Sequence, residues 1–125
     1  MREILFRAKR IDNGEWVEGN YVYLRQKDKH LIHTGNISLM EFIDVDPKTI
    51  GQFTGLTDKN GVKIFEGDIV EWRGINTNGV VVWSYSEWEC FYGDELSENS
   101  MLFSGWHDDM CVIGNIHDNS ELLNK

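Results

Sequence analysis

A chain of 125 residues fits one domain, or at most two small subdomains, and at that size about two-thirds of the unfolded surface can be buried. With 41% hydrophobic and 26% charged residues, low-complexity disorder, collagen and coiled coil are excluded, and no apolar run approaches the roughly 20 residues of a membrane span. Twelve basic against 21 acidic residues give a net charge of −9, unevenly spread: residues 1–35 carry seven basic and five acidic side chains, residues 36–125 five and sixteen. That acidic stretch repels a phosphate backbone or an anionic membrane, because affinity for either rests on cationic contacts.

The dominant periodicity is two. Ile4, Phe6 and Ala8 alternate with Glu3, Arg7 and Lys9 and predict a first strand. This opening reaches Arg7 too soon for a signal-peptide core, so a cytoplasmic protein is expected. Asp12-Asn13-Gly14 predicts a two-residue hairpin loop, since Asn and Gly tolerate the positive φ of a type I′ turn. Trp16 to Leu24, β-branched and aromatic, predicts the second strand. Arg25 to Lys29 reads as a turn, Leu31-Ile32-His33 as a third strand and Ile37 to Val45 as a fourth. Asp46-Pro47-Lys48-Thr49 predicts a turn or single helical turn capped by Asp46. Five glycine positions from Gly51 to Gly74 then argue for tight turns, with Asp58-Lys59-Asn60-Gly61 the strongest of them. Strands follow at Asp68 to Trp72, Val80 to Trp83, Glu87 to Tyr92 and Met110 to Ile116. A helical turn capped at Ser97 and another at Asn119 to Leu123 complete the series. Short strands with turns every 8–12 residues read as an all-β fold with minor helix.

The chemistry-bearing residues are sparse. His30 and His33 fall on opposite faces of a strand, with no Cys nearby to complete a zinc site, and read as surface histidines. His107-Asp108-Asp109 with Asp94, Glu95 and Glu98 could hold Mg²⁺ or Ca²⁺, but their spacing matches no metal loop and a solvated acidic edge is expected. Cys90 and Cys111 are expected reduced and buried. No serine sits in a nucleophile elbow and no Gly-rich loop precedes Lys-Ser or Lys-Thr, so no enzyme and no cofactor are expected. Five tryptophans exceed common usage; Trp72, Trp83 and Trp88 on adjacent strands read as core, or in part as anchors for a partner. Arg2, Arg7, Lys9 and Arg10, with Arg25, Lys27 and Lys29, form either a solvated face or a small patch for nucleic acid or an acidic partner.

The stretch from Asp46-Pro47-Lys48-Thr49-Ile50-Gly51 through Phe53-Thr54-Gly55-Leu56-Thr57-Asp58-Lys59-Asn60-Gly61 to Ile64-Phe65-Glu66-Gly67-Asp68-Ile69-Val70 closely resembles the signature of the YopX family of phage and prophage proteins. Arg2 to Ala8, Trp16-Val17-Glu18-Gly19 and Val112 to Asn119 resemble its flanks; residues 74–110 match least. The resemblance implies phage or prophage origin, a bacterial cytoplasm and a mostly β fold, and brings no catalytic residue with it. Gly67 to Val70 followed by Gly79 to Trp83 also looks like the first strand pair of an SH3-like barrel. The expectation is therefore one all-β domain over 1–125, with N-terminal strands (1–50) packed on a C-terminal SH3-like barrel (51–125) and any boundary within residues 46–66. In function it is a non-enzymatic accessory protein that binds a host or phage protein or assembles with itself as a homo-oligomer. Trp88, Tyr92 and Trp106 are the candidate interface, and no membrane is involved. The rival reading is a nucleic-acid module on Arg2, Arg7, Lys9, Arg10, Arg25, Lys27 and Lys29. A third is a metal-dependent hydrolase on Asp94, Glu95, Asp108 and Asp109.

Overall fold

A computed structural model describes residues 4–35, 41–72, 78–84, 87–92, 100–102 and 110–123. The protein is all-β, and the described residues form two antiparallel sheets and two short 3-10 turns. It divides into two compact units, one ending at Phe53 and the other beginning at Thr54.

The first unit holds β1 (Phe6–Lys9), β2 (Trp16–Leu24), β3 (Lys29–His33), β4 (Phe42–Asp44) and the start of β5 (Gly51–Thr57), in spatial order β4-β3-β2-β1-β5. Alternation decides which side chains go inside. Ala8 faces Val17 across β1 and β2, and Tyr21, Ile32 and Ile43 line up across β2, β3 and β4. Ala8, Ile32, Ile43 and Val45 form the buried cluster, with Phe6, Val17, Tyr21 and Ile50 packed against it. The strand over Trp16–Leu24 lies where its composition predicts; the fourth is shorter than expected, and residues 36–40 lie outside the described residues.

The first hairpin loop differs from the sequence expectation. Arg10 N–H donates to Glu15 C=O at 2.8 Å, so the loop has four residues, Ile11 to Gly14, instead of two. The reason is conformational: only Gly14 takes a positive φ (74°), while Asn13 instead accepts the Glu15 N–H on its side-chain oxygen at 2.9 Å. Gly19 answers to a close approach, because a Cβ there would stand 2.1 Å from the His33 carbonyl oxygen.

Asp46 caps the 3-10 turn Pro47–Thr49 by accepting Lys48 N–H at 3.0 Å, and Pro47 supplies the preset φ. Buried Thr49 locks this turn to β1: its hydroxyl oxygen accepts Lys9 N–H at 2.9 Å and its O–H donates to Asp46 C=O at 2.7 Å. Arg10 and Val45 form a single bridge, flanked by Asp46 N–H donating to Lys9 C=O and Ile11 N–H donating to Asp44 C=O.

The second unit continues β5 and adds β6 (Lys63–Phe65), its neighbour in strand order. Its five-stranded sheet runs β10 (Ser100–Leu102), β9 (Glu87–Tyr92), β8 (Gly79–Ser84), β7 (Asp68–Trp72), β11 (Met110–Asn115). Ile64, Val70, Val81 and Met110 form the core, with Leu56 and Val112 against it. β10 and β11 end this strand order, so among the described residues the sheet is not the closed barrel that the strand pair Gly67 to Trp83 suggested.

Two buried carboxylates organise the turns of this unit. Asp58 Oδ1 accepts the N–H groups of Asn60 (2.8 Å) and Val62 (3.0 Å), and Oδ2 accepts Val112 N–H at 2.9 Å. Burial pushes this carboxyl up; the backbone donors Val112, Val62 and Asn60 outweigh burial and hold it below the ordinary carboxylate value. Asp68 accepts Phe65 N–H at 2.7 Å. Cys111 is half-buried, not fully buried as expected, because it lies on edge strand β11, where the Asn60 amide reaches its sulfur at 3.5 Å. The C-terminal turn closes on Asn115, whose side-chain oxygen accepts the N–H groups of His117 and Asp118, before the 3-10 turn Ser120–Leu123. Among the described residues, no helix is long and apolar enough to cross a membrane.

Candidate functional site

The basic residues of the first unit are distributed, and four of them carry an aromatic or acidic partner. Arg7 and Lys9 stand on the face of β1 opposite Ala8, and both lie on the Trp16 ring. The guanidinium carbon is 4.7 Å and the ammonium 5.6 Å from the ring centroid. Glu18 faces Arg7 in register. Arg10 grips Asp12 through two bonds, Nε to Oδ1 at 2.9 Å and Nη2 to Oδ2 at 2.8 Å. That hydrogen bonding raises the arginine and lowers the aspartate from their ordinary values. Lys29 lies 3.9 Å from Asp44. Arg25 and Lys27 sit apart in the turn between β2 and β3, beside Tyr23 and Leu24. Arg2 lies outside the described residues.

His30 and His33 fall on opposite faces of β3, as their spacing requires. His33 packs on Phe42, ring centroids 4.7 Å apart. His30 is not the surface histidine expected but half-buried between tyrosines, because β3 carries it onto the same face as Tyr21 and Tyr23. Its Nδ1 is 2.6 Å from the Tyr21 hydroxyl, the two rings are stacked at 2°, and the Tyr23 ring lies 4.8 Å away. Tyr23 O–H donates to Asp28 at 2.8 Å, a bond that raises the tyrosine from its ordinary value. Asp28 takes a positive φ of 49°, which Asp tolerates better than most residues. Sequence reasoning missed this cluster; the register of β2 against β3 was the information required.

A concavity lies where the β1–β2 loop meets β4. Ile11 N–H donates to Asp44 C=O at 3.1 Å, and a cavity of about 290 Å³ opens on each side of that bond. One is lined by the Arg10–Asp12 pair, Ile11, Glu41, Phe42 and Ile43; the other by His30, Asp28, Lys29, Val45 and Pro47. Ile11, which lines both, is 66% exposed, and Phe42, which lines the first, is 50% exposed. An apolar pair beside a locked ion pair suits binding by burial. Among the described residues, no serine, cysteine or threonine lines either cavity.

The other candidates sit in the second unit. Trp88 and Tyr92 occur on β9, paired in register with Trp83 and Gly79. Trp106, Asp94, Glu95, Glu98, His107, Asp108 and Asp109 lie outside the described residues. Among the described residues, no group of three or more His, Cys, Asp or Glu could hold a metal ion.

Three comparisons place the chain among known proteins. The family model described as YopX protein matches residues 5–124. The crystal structure of protein EF1440 from Enterococcus faecalis is similar in fold, with a TM-score of 0.61 and 27% identity over 98% of this chain and 99% of that one. Among curated proteins none matches.

Proposed function

The chain belongs to the YopX family, and on that premise we propose that it acts without catalysis, by binding another protein through the cleft of its first unit. The observation that carries this reading is the exposure of Ile11 and Phe42 at the mouth of one cavity. Burying a large apolar side chain against a partner is worth about 1.5–3 kcal/mol, and such anchors dominate interface energies. The Arg10–Asp12 and Lys29–Asp44 pairs form a polar rim that keeps the cleft soluble when empty. In this reading the protein is a phage or prophage accessory protein of the bacterial cytoplasm. Copies of itself count among its partners, with Trp88, Tyr92 and Trp106 as the candidate contact residues.

The test is capture of partners by tagged protein in its own host. The Ile11→Asp, Phe42→Ser double variant, folded as judged by its melting curve, loses the protein captured by the wild type. An unchanged set of captured proteins overturns the reading.

A second reading rests on Trp16, which lies under Arg7 and Lys9. An aromatic ring with cations on one strand face is the usual platform for single-stranded nucleic acid. It predicts oligonucleotide binding that falls steeply with salt. No binding at low salt ends it.

A further inference from the structure

The cleft contains a strand edge that another chain can complete. Val45 N–H donates to His30 C=O at 3.0 Å, so these two face each other as a hydrogen-bonded pair. In an antiparallel ladder such pairs alternate with non-bonded ones. Ile43 with Ile32 is then the next bonded pair and Phe42 with His33 a non-bonded one. The N–H and C=O of Phe42 therefore point away from β3, to the side on which Asp44 C=O accepts Ile11 N–H. The β1–β2 loop accompanies β4 only that far. Past Ile11 the chain turns back, with Gly14 N–H donating to Arg10 C=O at 3.0 Å, and the cavity lined by Ile11 and Phe42 opens along the β4 edge.

The chemistry of the rim says what fits. Arg10 feels three carboxylates, Asp12, Glu41 and Glu15, and is already held by Asp12 through two bonds. The chain as a whole carries −9. Ile11 and Phe42 supply the apolar part. Accepting the cleft as the protein-binding site, we infer that the partner docks by strand addition. An extended segment that alternates Lys or Arg with aliphatic residues adds to the β4 edge at Phe42, where β1 would lie if its pairing ran on past Ile11. Main-chain bonds to Phe42 hold it, aliphatic side chains cover Ile11 and Phe42, and its cations meet Glu41.

The probe is a nine-residue peptide of alternating lysine and valine, capped with proline at both ends. Three relatives accompany it: one with every lysine amide N-methylated, one with every valine amide N-methylated, and one with glutamate for lysine. Fluorescence polarisation reads affinity, and hydrogen exchange of the Phe42 amide reads the site. The parent peptide binds and slows exchange at Phe42. At least one N-methylated peptide binds about tenfold more weakly or worse, because only one edge of a strand faces β4, and the glutamate peptide loses at least as much. No binding of the parent, no slowing at Phe42, binding of both methylated peptides as tightly as the parent, or binding of the glutamate peptide as tightly as the parent each overturns strand addition. The host capture experiment separates the two levels. If the Ile11, Phe42 variant loses its partner while the peptides fail, the protein-binding reading stands and only the docking mode falls. If capture is unchanged, the cleft itself is not the binding site.

Discussion

The two units place the polar groups of their turns in opposite ways. In the first, turn carboxylates and amides stay at the surface: Asp12 on Arg10, Asn13 on the Glu15 N–H, Asp28 on the Tyr23 hydroxyl. In the second, Asp58 and Asp68 are 4% and 1% exposed, and backbone N–H groups satisfy them. A buried carboxylate with every donor in place specifies one loop conformation and makes that loop intolerant of change. Surface turns specify less, and they leave side chains such as Ile11 available for other work. The buried turn carboxylates occur in the second unit, and the exposed pair Ile11 and Phe42 in the first.

The largest way to break this contrast is Asp58→Ala. It strands the N–H groups of Asn60, Val62 and Val112 and is expected to cost about 3 kcal/mol or more in urea unfolding. Asp58→Asn costs less, because one acceptor oxygen remains, but an amide nitrogen then faces a donor. Equal stability of wild type and alanine variant removes Asp58 from its organising role. Next is Gly19→Ala in the first unit, whose new methyl group meets the His33 carbonyl; about 1–3 kcal/mol is expected from overpacking.

Acidification sharpens the comparison. The folded Asp58 carboxyl lies below its unfolded value of about 3.9. Its contribution is therefore fully present above pH 4 to 5 and is lost as pH falls through the folded value. Melting curves from pH 6 to pH 2 should decline less steeply at the acid end for Asp58→Asn than for wild type. An identical decline means that other groups control acid stability. The smallest effects are expected from the Ile11→Asp, Phe42→Ser variant: within about 0.5 kcal/mol at Ile11, which is 66% exposed, and about 1 kcal/mol at Phe42, which also loses its contact with His33. A large loss would make them structural and remove them from the binding argument.

Much of the fold was legible along the chain. The strands over Trp16–Leu24, Asp68–Trp72 and Glu87–Tyr92 fall where alternation and β-branched content placed them, and the 3-10 turn after Asp46 follows from its cap and Pro47. These are local effects, each decided by a residue and its near neighbours. The hairpin loop at Ile11 to Gly14 was misjudged because Asn13 had two local uses, positive φ or side-chain acceptor, and the pairing of Arg10 with Glu15 selected the second. The closed barrel failed similarly: a strand pair is local, whereas closure depends on which strands end up as edges.

The candidate site was less legible. Arg7 and Lys9 were recognisable as one face, but the Trp16 ring under them is a cross-strand neighbour. Ile11 read as nothing in particular, because exposure is set by the bridge between Arg10 and Val45, 35 positions apart in sequence. Sequence alone determined the family, the β periodicity, the turn chemistry and the acidic balance, since each rests on residue type and short-range spacing. Only the tertiary structure decided that Asp58 reaches Val112, that His30 lies between two tyrosines and that Phe42 turns its backbone toward an open cleft. Those outcomes follow from strand register, in which a shift of one residue moves every side chain to the other face.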